Sequence, residues 1–344
     1  GMKTEQFTVK NNAGIKISLK SDNNQLDDVV VIGYGTKKKK DITGAVASVK
    51  SDEFNKGIVT SPEQLIQGKV SGVNVTSASG EPGSTQTISI RGQGGIRTGS
   101  SPLYIIDGFA LDNSTTGGSV NPLSFINSDD IESIDILKDA SATAIYGSRG
   151  ANGVIIVTTK RGKSGKAQVS LTSTFSTSKI ARELPVFGAD EFREKVVALG
   201  GTLTDLGGNT DWQKQITRLA VTQNHNLSIS GGADKLTYFA SLGTLSQEGI
   251  IKDNNLKIMS GRIKLTQKSL DNKFKVDFNL SVANTNTQRP DTGSLIGNAI
   301  SLNPTYPAYD DAGNPSVFSD VENPLLTLNF YKDKTENNRI IANI

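Results

Sequence analysis

Apolar and polar residues alternate along the second half of the chain, from residue 168 onward. Alternation of this kind places successive side chains on opposite faces of a β-strand. The clearest run covers residues 274–282 and sets an apolar face against a polar one: Phe274, Val276, Phe278, Leu280 and Val282 against Lys275, Asp277, Asn279 and Ser281. Similar runs cover residues 169–175, 236–243 and 259–266, with Phe239 as an apolar exception on a polar face. The pattern predicts antiparallel strands that are apolar on one face only.

Two architectures share this alternation, because lipid and a protein core select the same residues for one face of a strand. The strands of a membrane β-barrel and those of a soluble β-sandwich therefore cannot be separated by the period alone. Two helical stretches are predicted to interrupt the strands, at residues 189–199 and 212–219. Residues 286–338 are rich in Asn, Pro, Asp and Gly and are predicted to form a long loop.

The first half of the chain instead combines short strands and short helices with glycine turns. Residues 131–162 show this best, because an Ile-rich strand leads into a helix-forming stretch at 140–146 and then into three closely spaced glycines. The apolar run at 154–157 suits a strand that is covered on both faces. Ser61 and Pro62 suit the first positions of another short helix. Residues 41–162 are therefore predicted to form one compact α+β domain.

Composition excludes several functional classes. The 344 residues carry a formal net charge of +3, which is too small to predict a nucleic-acid partner, and the basic run at residues 37–40 is interpreted as a solvated linker. No apolar run approaches the roughly 18 residues of a membrane helix. The chain has no cysteine and a single histidine, His225, so no catalytic triad or histidine metal cluster can be built around it. We predict no enzyme activity, no metal site and no cofactor.

Residues 29–32 stand out as four consecutive β-branched residues between acidic residues and lysines. An apolar segment with solvated flanks is predicted to be an unpaired strand. Such a strand can add to the sheet edge of a partner protein through backbone hydrogen bonds. An ordinary edge strand of the first domain is the alternative.

Four segments resemble the SusC/RagA type of TonB-dependent outer-membrane transporter: residues 26–36, the pair Arg91-Gly92, residues 103–108 and residues 131–162. The resemblance implies an α+β plug domain followed by antiparallel β-strands of an incomplete transmembrane β-barrel. Such a plugged barrel needs roughly 22 strands, and the sequence predicts about five or six, so we expect a sheet that does not close. The implied divisions are the end of an N-terminal β-sandwich of the carboxypeptidase-regulatory type with a linker (1–25), a TonB box with a basic linker (26–40), the plug (41–162) and the first barrel strands and loops (163–344).

The resemblance also implies roles for individual residues. The residues expected to bind TonB are Asp28, Val29, Val30, Val31, Ile32, Gly33, Tyr34 and Gly35. The residues expected to form the plug motif are Arg91, Gly92, Asp107, Gly108, Tyr146, Gly147, Arg149 and Gly150. Arg91 and Arg149 are predicted either to form buried or half-buried ion pairs that hold the plug in place, or to be solvated turn residues.

The implied function is TonB-dependent import of oligosaccharides or peptides across the outer membrane, with the TonB box and the plug facing the periplasm. The implied partners are the C-terminal domain of TonB (with ExbB and ExbD indirectly), a SusD-like surface lipoprotein, outer-membrane lipid and the substrate. Because no export signal is visible and the last residues resemble the start of a strand, both ends are expected to be cut.

Two other functions remain open at the level of sequence. A soluble secreted or periplasmic β-rich module that binds glycans or proteins would also show the alternation without lipid. A signal-transducing receptor of the same architecture would need a further N-terminal domain, for which residues 1–25 are too few.

Overall fold

The computed structural model of the chain describes residues 29–32, 35–38, 46–57, 59–92, 101–111, 122–271 and 273–344. Three of the residues predicted to bind TonB, Asp28, Gly33 and Tyr34, lie outside the described residues, as does the predicted sandwich end at 1–25. Within the described ranges, no helix is long and apolar enough to cross a membrane.

The apolar run Val29–Ile32 is a strand, β1, and it pairs antiparallel with β2, Gly35–Lys38. The prediction of an unpaired strand is therefore wrong, because the residues that follow the run fold back along one of its edges. The two strands form a sheet of their own. An isolated two-stranded hairpin is marginally stable in water at best, so this pairing is easily exchanged for another.

The N-terminal unit, residues 46–159, is built on a five-stranded sheet with the strand order β3-β8-β9-β6-β7, while β4 and β5 form a separate antiparallel hairpin. Within the sheet, β6 and β9 are parallel and the other pairs are antiparallel. The strands are β3 Val46–Lys50, β4 Val73–Ser77, β5 Gln86–Ile90, β6 Leu103–Ile106, β7 Phe109–Ala110, β8 Ile131–Leu137 and β9 Val154–Thr159. Among the described residues of this unit, the helices are α1 Ala140–Thr143 and 3-10 turns at Pro62–Ile66, Ser128–Asp130 and Ala144–Gly150.

Strand β9 lies in the middle of this sheet, and residues 154–157 are apolar on both of its faces, as a covered strand requires. On one face, Ile136 and Ile155 pack in a cluster with residues of the first 3-10 turn and of the β4–β5 hairpin, such as Ile66 and Ile88. The other face, with Ile156, packs in a second cluster that includes α1. The run at 154–157 is accordingly buried throughout, as predicted for a doubly covered strand.

A two-residue turn at Asp107-Gly108 joins β6 to β7. Both residues have positive φ, 47° and 89°. This is the backbone of a type I′ hairpin turn, for which Asp-Gly is a favoured pair. The turn fixes the position of Asp107, whose carboxylate is central to the site described below.

Residues 165–343 form the six-stranded sheet, which is antiparallel and follows the chain order β10 to β15. Its strands are β10 Gly165–Ser178, β11 Ala220–Gly232, β12 Leu236–Glu248, β13 Asn255–Ser269, β14 Phe274–Arg289 and β15 Asp333–Asn343. Within the part of the chain that the structure describes, β10 and β15 each have one strand neighbour, so the sheet is open. The predicted fold class, an α+β domain followed by strands that do not close a barrel, is confirmed.

The two faces of the six-stranded sheet differ as the alternation predicts. One face carries exposed apolar side chains, among them Leu171, Leu242, Met259, Ile263 and Val282. The opposite face is largely polar, and there Asn226, Ser241, Arg262 and Asn279 are buried. Polar residues are buried on this face because it lies against the N-terminal unit.

The two ends of the sheet differ in their connections. Short turns join β11 to β12 and β13 to β14, whereas long insertions follow β10 and β14 at the other end. The insertions carry α2 Ala189–Ala198, α3 Trp212–Ile216, α4 Thr292–Ser301 and α5 Pro324–Phe330. The two helices predicted from the sequence are confirmed, although the second ends three residues early, at Ile216.

The prediction of one long loop at residues 286–338 is wrong. Strand β14 continues to Arg289, and the remaining residues include α4, α5 and the first part of β15. Both helices begin at a side-chain cap, because Asp291 accepts from the Ser294 amide and Asn323 from the Leu325 amide. The Asn, Asp and Pro residues that suggested a loop thus mark helix starts here. These helices pack with α3 around Trp212 in a separate apolar cluster.

Candidate functional site

The contact between the N-terminal unit and the six-stranded sheet is organised around two buried aspartates. The first, Asp107, accepts hydrogen bonds from Lys264 Nζ at 2.9 Å and from Asn279 Nδ2 at 3.0 Å. Lys264 and Asn279 lie directly opposite each other on β13 and β14. The Thr159 amide donates to the same carboxylate at 3.0 Å, and the Thr159 hydroxyl donates to its other oxygen. The side chains of Asp107 and Lys264 are only 6% and 12% exposed, so a charge pair is buried between the two halves of the chain.

The charge state of Asp107 follows from its neighbours. Burial raises the pKa of this carboxyl, but the Lys264 ammonium, the Arg262 guanidinium and the two Thr159 hydrogen bonds outweigh burial. The pKa of Asp107 therefore lies below its ordinary value, and the group is ionised at neutral pH. A depressed pKa contributes stability above the unfolded value, and this contribution is lost as the pH falls through the folded value. The contribution of the ionised Asp107 carboxylate is thus present at neutral pH and is lost in acid.

The second aspartate, Asp130, ends a 3-10 turn just before β8. Its carboxylate accepts from Asn226 Nδ2 at 2.9 Å and from the Ser241 hydroxyl. Next to it, Asn127 donates to Asn224 at 3.4 Å. These donors lie on β11 and β12, so the Asp130 contact is next to that of Asp107 on the same polar face.

Arg262 joins the two contacts. It lies opposite Ser241 in the register of β12 and β13, and it donates to the backbone carbonyls of Asp130 and Lys160. Its guanidinium lies 5.0 Å from the ring centre of Phe239. This cation–π contact explains why an apolar residue occupies the polar face of β12.

A third contact lies toward the long-insertion end of the sheet. The tip of the β4–β5 hairpin, residues 78–85, places the Gly83 carbonyl 3.1 Å from Arg289 Nη2. The neighbouring Glu81 accepts a hydrogen bond from the Thr292 hydroxyl, at the start of α4. The hairpin tip is therefore bonded both to β14 and to the helical insertion that follows it.

Comparison with known proteins identifies the family. Residues 38–154 match the TonB-dependent receptor plug domain. Over 96% of its length the chain is 40% identical to the TonB-dependent receptor SusC of Bacteroides thetaiotaomicron, and over 99% it is 36% identical to the TonB-dependent receptor P26 of Formosa agariphila. The chain belongs to the SusC/RagA family of TonB-dependent transporters. It spans 36% and 35% of the length of these two relatives.

A solved structure of the RagAB peptide importer in its open-open state has the same arrangement. It matches with a TM-score of 0.73 and 27% identity, over 87% of this chain and 38% of the other. The N-terminal unit is thus the plug of a SusC/RagA protein, and the six-stranded sheet is the first part of its barrel.

Within the plug, Asp107 is the one predicted motif residue whose described hydrogen bonds reach the six-stranded sheet. Arg91 forms an ion pair with Asp139, with 55% of its side chain exposed. Arg149 is exposed and donates to the Leu111 carbonyl at 2.9 Å. Both arginines therefore bond within the plug, and of the two only Arg91 forms an ion pair with another residue that the structure describes.

The remaining motif residues shape the plug backbone. Gly92, Gly108 and Gly147 have positive φ. Gly150 is buried, and a Cβ there would lie 3.0 Å from the Thr143 carbonyl oxygen, so a side chain would not fit without a shift. Tyr146 packs against the cluster on the α1 side of the sheet. These residues are grouped around the turns of the plug rather than in one binding site.

Sequence reasoning missed the residues on the other side of the contact. Arg262, Lys264 and Asn279 were assigned to a polar face, and nothing in the alternation shows that this face is covered by protein. Asp130 follows Asp129 directly, and an adjacent acidic pair in a turn is ordinarily explained by solvation. A charged side chain in the middle of a long strand is the signal that could have found them, since such residues need a partner when buried.

Two other sequence predictions concern the single histidine, His225, and metal binding. His225 forms a hydrogen bond of 2.7 Å with the exposed Ser173 hydroxyl. Across the described ranges, no cluster of three or more His, Cys, Asp or Glu side chains has the geometry of a metal site.

Of the residues expected to bind TonB, Val29, Val30, Val31 and Ile32 lie in β1 and Gly35 begins β2.

Proposed function

We propose that the full-length protein imports oligosaccharides or peptides across the outer membrane, driven by TonB. The observation that carries the proposal is the two-faced sheet, which is bonded to the plug on its polar face and exposes apolar side chains on the other. An exposed apolar face suits lipid, and a polar inner face suits an aqueous path. A soluble binding module, the alternative, would need further protein to cover that apolar face.

The connections support an orientation. Outer-membrane barrels have short turns on the periplasmic side and longer loops outside. The six-stranded sheet matches this rule, because short turns lie at one of its ends and long insertions lie at the other. Strand β10 begins at the short-turn end, where Gly165 lies opposite Gly232. The plug therefore precedes the barrel at its periplasmic end, and the helical insertions face outward.

Substrate and a SusD-like lipoprotein would contact the helical insertions that face outward. Helices α3, α4 and α5 share an apolar cluster, so these loops form a folded unit rather than flexible connections. A solved relative is described as a peptide importer, which supports peptides as one of the two substrate classes. Oligosaccharides are the other class expected for the family.

Coupling to TonB is assigned to residues 28–35. In its two-stranded sheet, β1 pairs with β2 along one edge only, among the residues described. The other edge is open to a strand of the TonB C-terminal domain, which would bind by β-augmentation. ExbB and ExbD would act through TonB, in the inner membrane.

The test is Val31→Pro in the full-length protein, because the Val31 amide lies on the open edge of β1, whereas the Val30 amide faces β2. Proline removes one backbone donor from the strand. We expect affinity for the purified TonB C-terminal domain to fall about tenfold or more, since each lost 1.4 kcal/mol is tenfold. Uptake of a labelled oligosaccharide mixture or a labelled peptide mixture should fall with it. Lys40→Pro, in the same linker but outside residues 28–35, is the matched control.

The outcomes separate the alternatives. Binding and uptake that Val31→Pro leaves unchanged would contradict the assignment of residues 28–35. Equal losses in both proline variants would mean that the whole linker matters. A protein that imports neither mixture and fractionates as a soluble species would favour the binding module. The mixture that is imported identifies the substrate class.

A further inference from the structure

The exposed apolar face of the six-stranded sheet becomes polar toward the long insertions. One row of directly opposite residues crosses all six strands and is apolar or glycine throughout: Leu171, Leu227, Leu242, Gly261, Val282 and Ile340. Two residues further along each strand, the next row is mixed: Ser173, His225, Thr244, Met259, Asn284 and Asn338. The row beyond it contains Lys257, Asn286 and Glu336. The surface that suits lipid hydrocarbon therefore ends within two rows, and the strands continue past it.

Gly261 leaves a gap in the apolar row. It has no side chain between Leu242 and Val282, and a Cβ at this position would lie 3.4 Å from a methyl carbon of each. Together with Leu227 and Met259, the residues around this gap line a largely apolar groove of about 730 Å³. This volume is within the range of ordinary ligand sites. Because apolar walls favour hydrocarbon over water, the groove suits an acyl chain.

A polar groove of about 770 Å³ adjoins the apolar one, because it begins one row beyond Met259 on the same face of the sheet. Its charged lining consists of three cations and two acids: Lys257, Lys334, Arg218, Glu248 and Glu336. The other lining side chains are amides and hydroxyls. A lining of this composition suits a headgroup that has both an anionic group and hydroxyl groups.

The charges of the polar groove leave its two lysines for a ligand. Of the acids, Glu248 forms an ion pair of 3.5 Å with Arg218, and Glu336 accepts a hydrogen bond from Asn284 at 2.8 Å. Both lysines are exposed, and neither forms an ion pair with another residue that the structure describes. They lie on β13 and β15, which are two strand spacings of about 4.8 Å apart. A phosphate group over β14, the strand between them, is therefore within reach of both ammonium groups.

We propose that the two adjoining grooves form one binding site for an outer-leaflet glycolipid whose sugar headgroup carries phosphate. Lys257 and Lys334 bind the phosphate, the amide and hydroxyl side chains bind sugar hydroxyls, and an acyl chain lies in the groove over Gly261. The inference rests on the proposed function, because it needs the long-insertion end of the sheet to lie in the outer leaflet. The site is on the face of the sheet opposite the plug, so it is separate from the import path. A lipid bound there holds this end of the barrel at a fixed depth in the membrane.

Native mass spectrometry of the full-length protein in a nonionic detergent tests the phosphate contacts. The probes are purified lipid A, its dephosphorylated form and inorganic phosphate. We expect Lys257→Gln with Lys334→Gln to weaken lipid A binding about tenfold or more, because a hydrogen bond to a charged group contributes at least that factor. Binding of the dephosphorylated form should not change. The matched control is Lys179→Gln with Lys195→Gln, which removes two exposed lysines outside both grooves and should bind lipid A like the wild type.

Gly261→Leu tests the acyl-chain contact. The nearest atoms to a Cβ at this position are side-chain methyls at ordinary contact distance, so leucine fills the groove without displacing the backbone. We expect the variant to weaken binding of both lipid A and its dephosphorylated form, since each buried methylene group contributes about a fourfold factor to affinity. Uptake of the labelled oligosaccharide or peptide mixture should remain at the wild-type level in this variant and in the lysine double variant, because the site lies outside the barrel.

The outcomes separate this inference from the proposed function. Lipid A that does not bind the wild type, or that binds it and the lysine double variant equally, overturns the inference. An equal loss in the control pair also overturns it, because net charge alone would then attract the lipid. Inorganic phosphate that binds as tightly as lipid A would mean a simple anion site, which again overturns it. A protein that binds lipid A in the expected pattern but imports neither labelled mixture would count against the proposed function alone.

Discussion

The plug and the six-stranded sheet contain similar β-branched and aliphatic residues, which are buried in the plug and exposed on one face of the sheet. In the plug, β9 is buried on both faces, and its apolar side chains hold the unit together. In the six-stranded sheet, isoleucine and leucine on one face are exposed, and the buried face is polar. Compared with a sheet in a soluble protein, this sheet is inverted, because its apolar side chains face outward and its charged side chains are buried. The residues that matter most for stability are therefore aliphatic inside the plug and ionic where the plug meets the sheet.

Removal of the buried charge should have the largest effect. Asp107→Asn leaves the Lys264 ammonium buried without its counter-charge, and breaking a buried pair in this way costs about 3–5 kcal/mol. We expect the calorimetric melting temperature of the plug in the purified full-length protein to fall clearly. The matched control is Asp277→Asn, since the Asp277–Lys275 pair is 45% and 50% exposed and such pairs contribute about 0.2–1 kcal/mol. Equal shifts in the two variants would mean that the Asp107 contact carries no special stability.

Truncation of the same residue type in the two regions should have unequal effects. Ile136→Ala removes a fully buried side chain from β8, which costs about 2–5 kcal/mol. Ile263→Ala, on the exposed face of β13, where the native side chain is 43% exposed, should change stability by less than about 1 kcal/mol. Hydrogen–deuterium exchange of residues 131–137 should accelerate strongly in the first variant only. Comparable acceleration in both would contradict the assignment of β13 to a lipid-facing position.

The smallest effect is expected at the half-exposed pair of Arg91 and Asp139. A double-mutant cycle with Arg91→Gln and Asp139→Asn should give a coupling energy of at most about 1 kcal/mol, because the pair is partly solvated. The measurement is again the plug melting temperature. A coupling as large as the effect of Asp107→Asn would show that the motif arginine, rather than the buried aspartate, holds the plug.

Much of the fold follows from local patterns in the sequence. The alternation at residues 274–282 predicts a two-faced strand because side-chain direction has a period of two. The run at 154–157 predicts a covered strand because it is apolar on both faces. The turn at Asp107-Gly108 follows from the conformations that this pair favours.

The contact between the two halves could not be predicted in the same way. Asp107 and Lys264 are 157 residues apart, and nothing local to either indicates the other. The polar face of β13 is consistent with water as well as with a bound plug. The helices at 292–301 and 324–330 were missed for a different reason, because Asp291, Asn323 and Pro324 are equally frequent in loops and at helix starts.

The pairing of Asp107 with Lys264 limits how freely the two halves of such a protein can be recombined. The plug and the strands could be exchanged between relatives as separate modules only if each carried a matching charge for the other. A plug grafted onto a sheet without the lysine would bring a buried carboxylate with no counter-ion. Successful chimaeras should therefore exchange the positions of Asp107, Asp130, Arg262 and Lys264 as a set, and these positions should vary together among relatives.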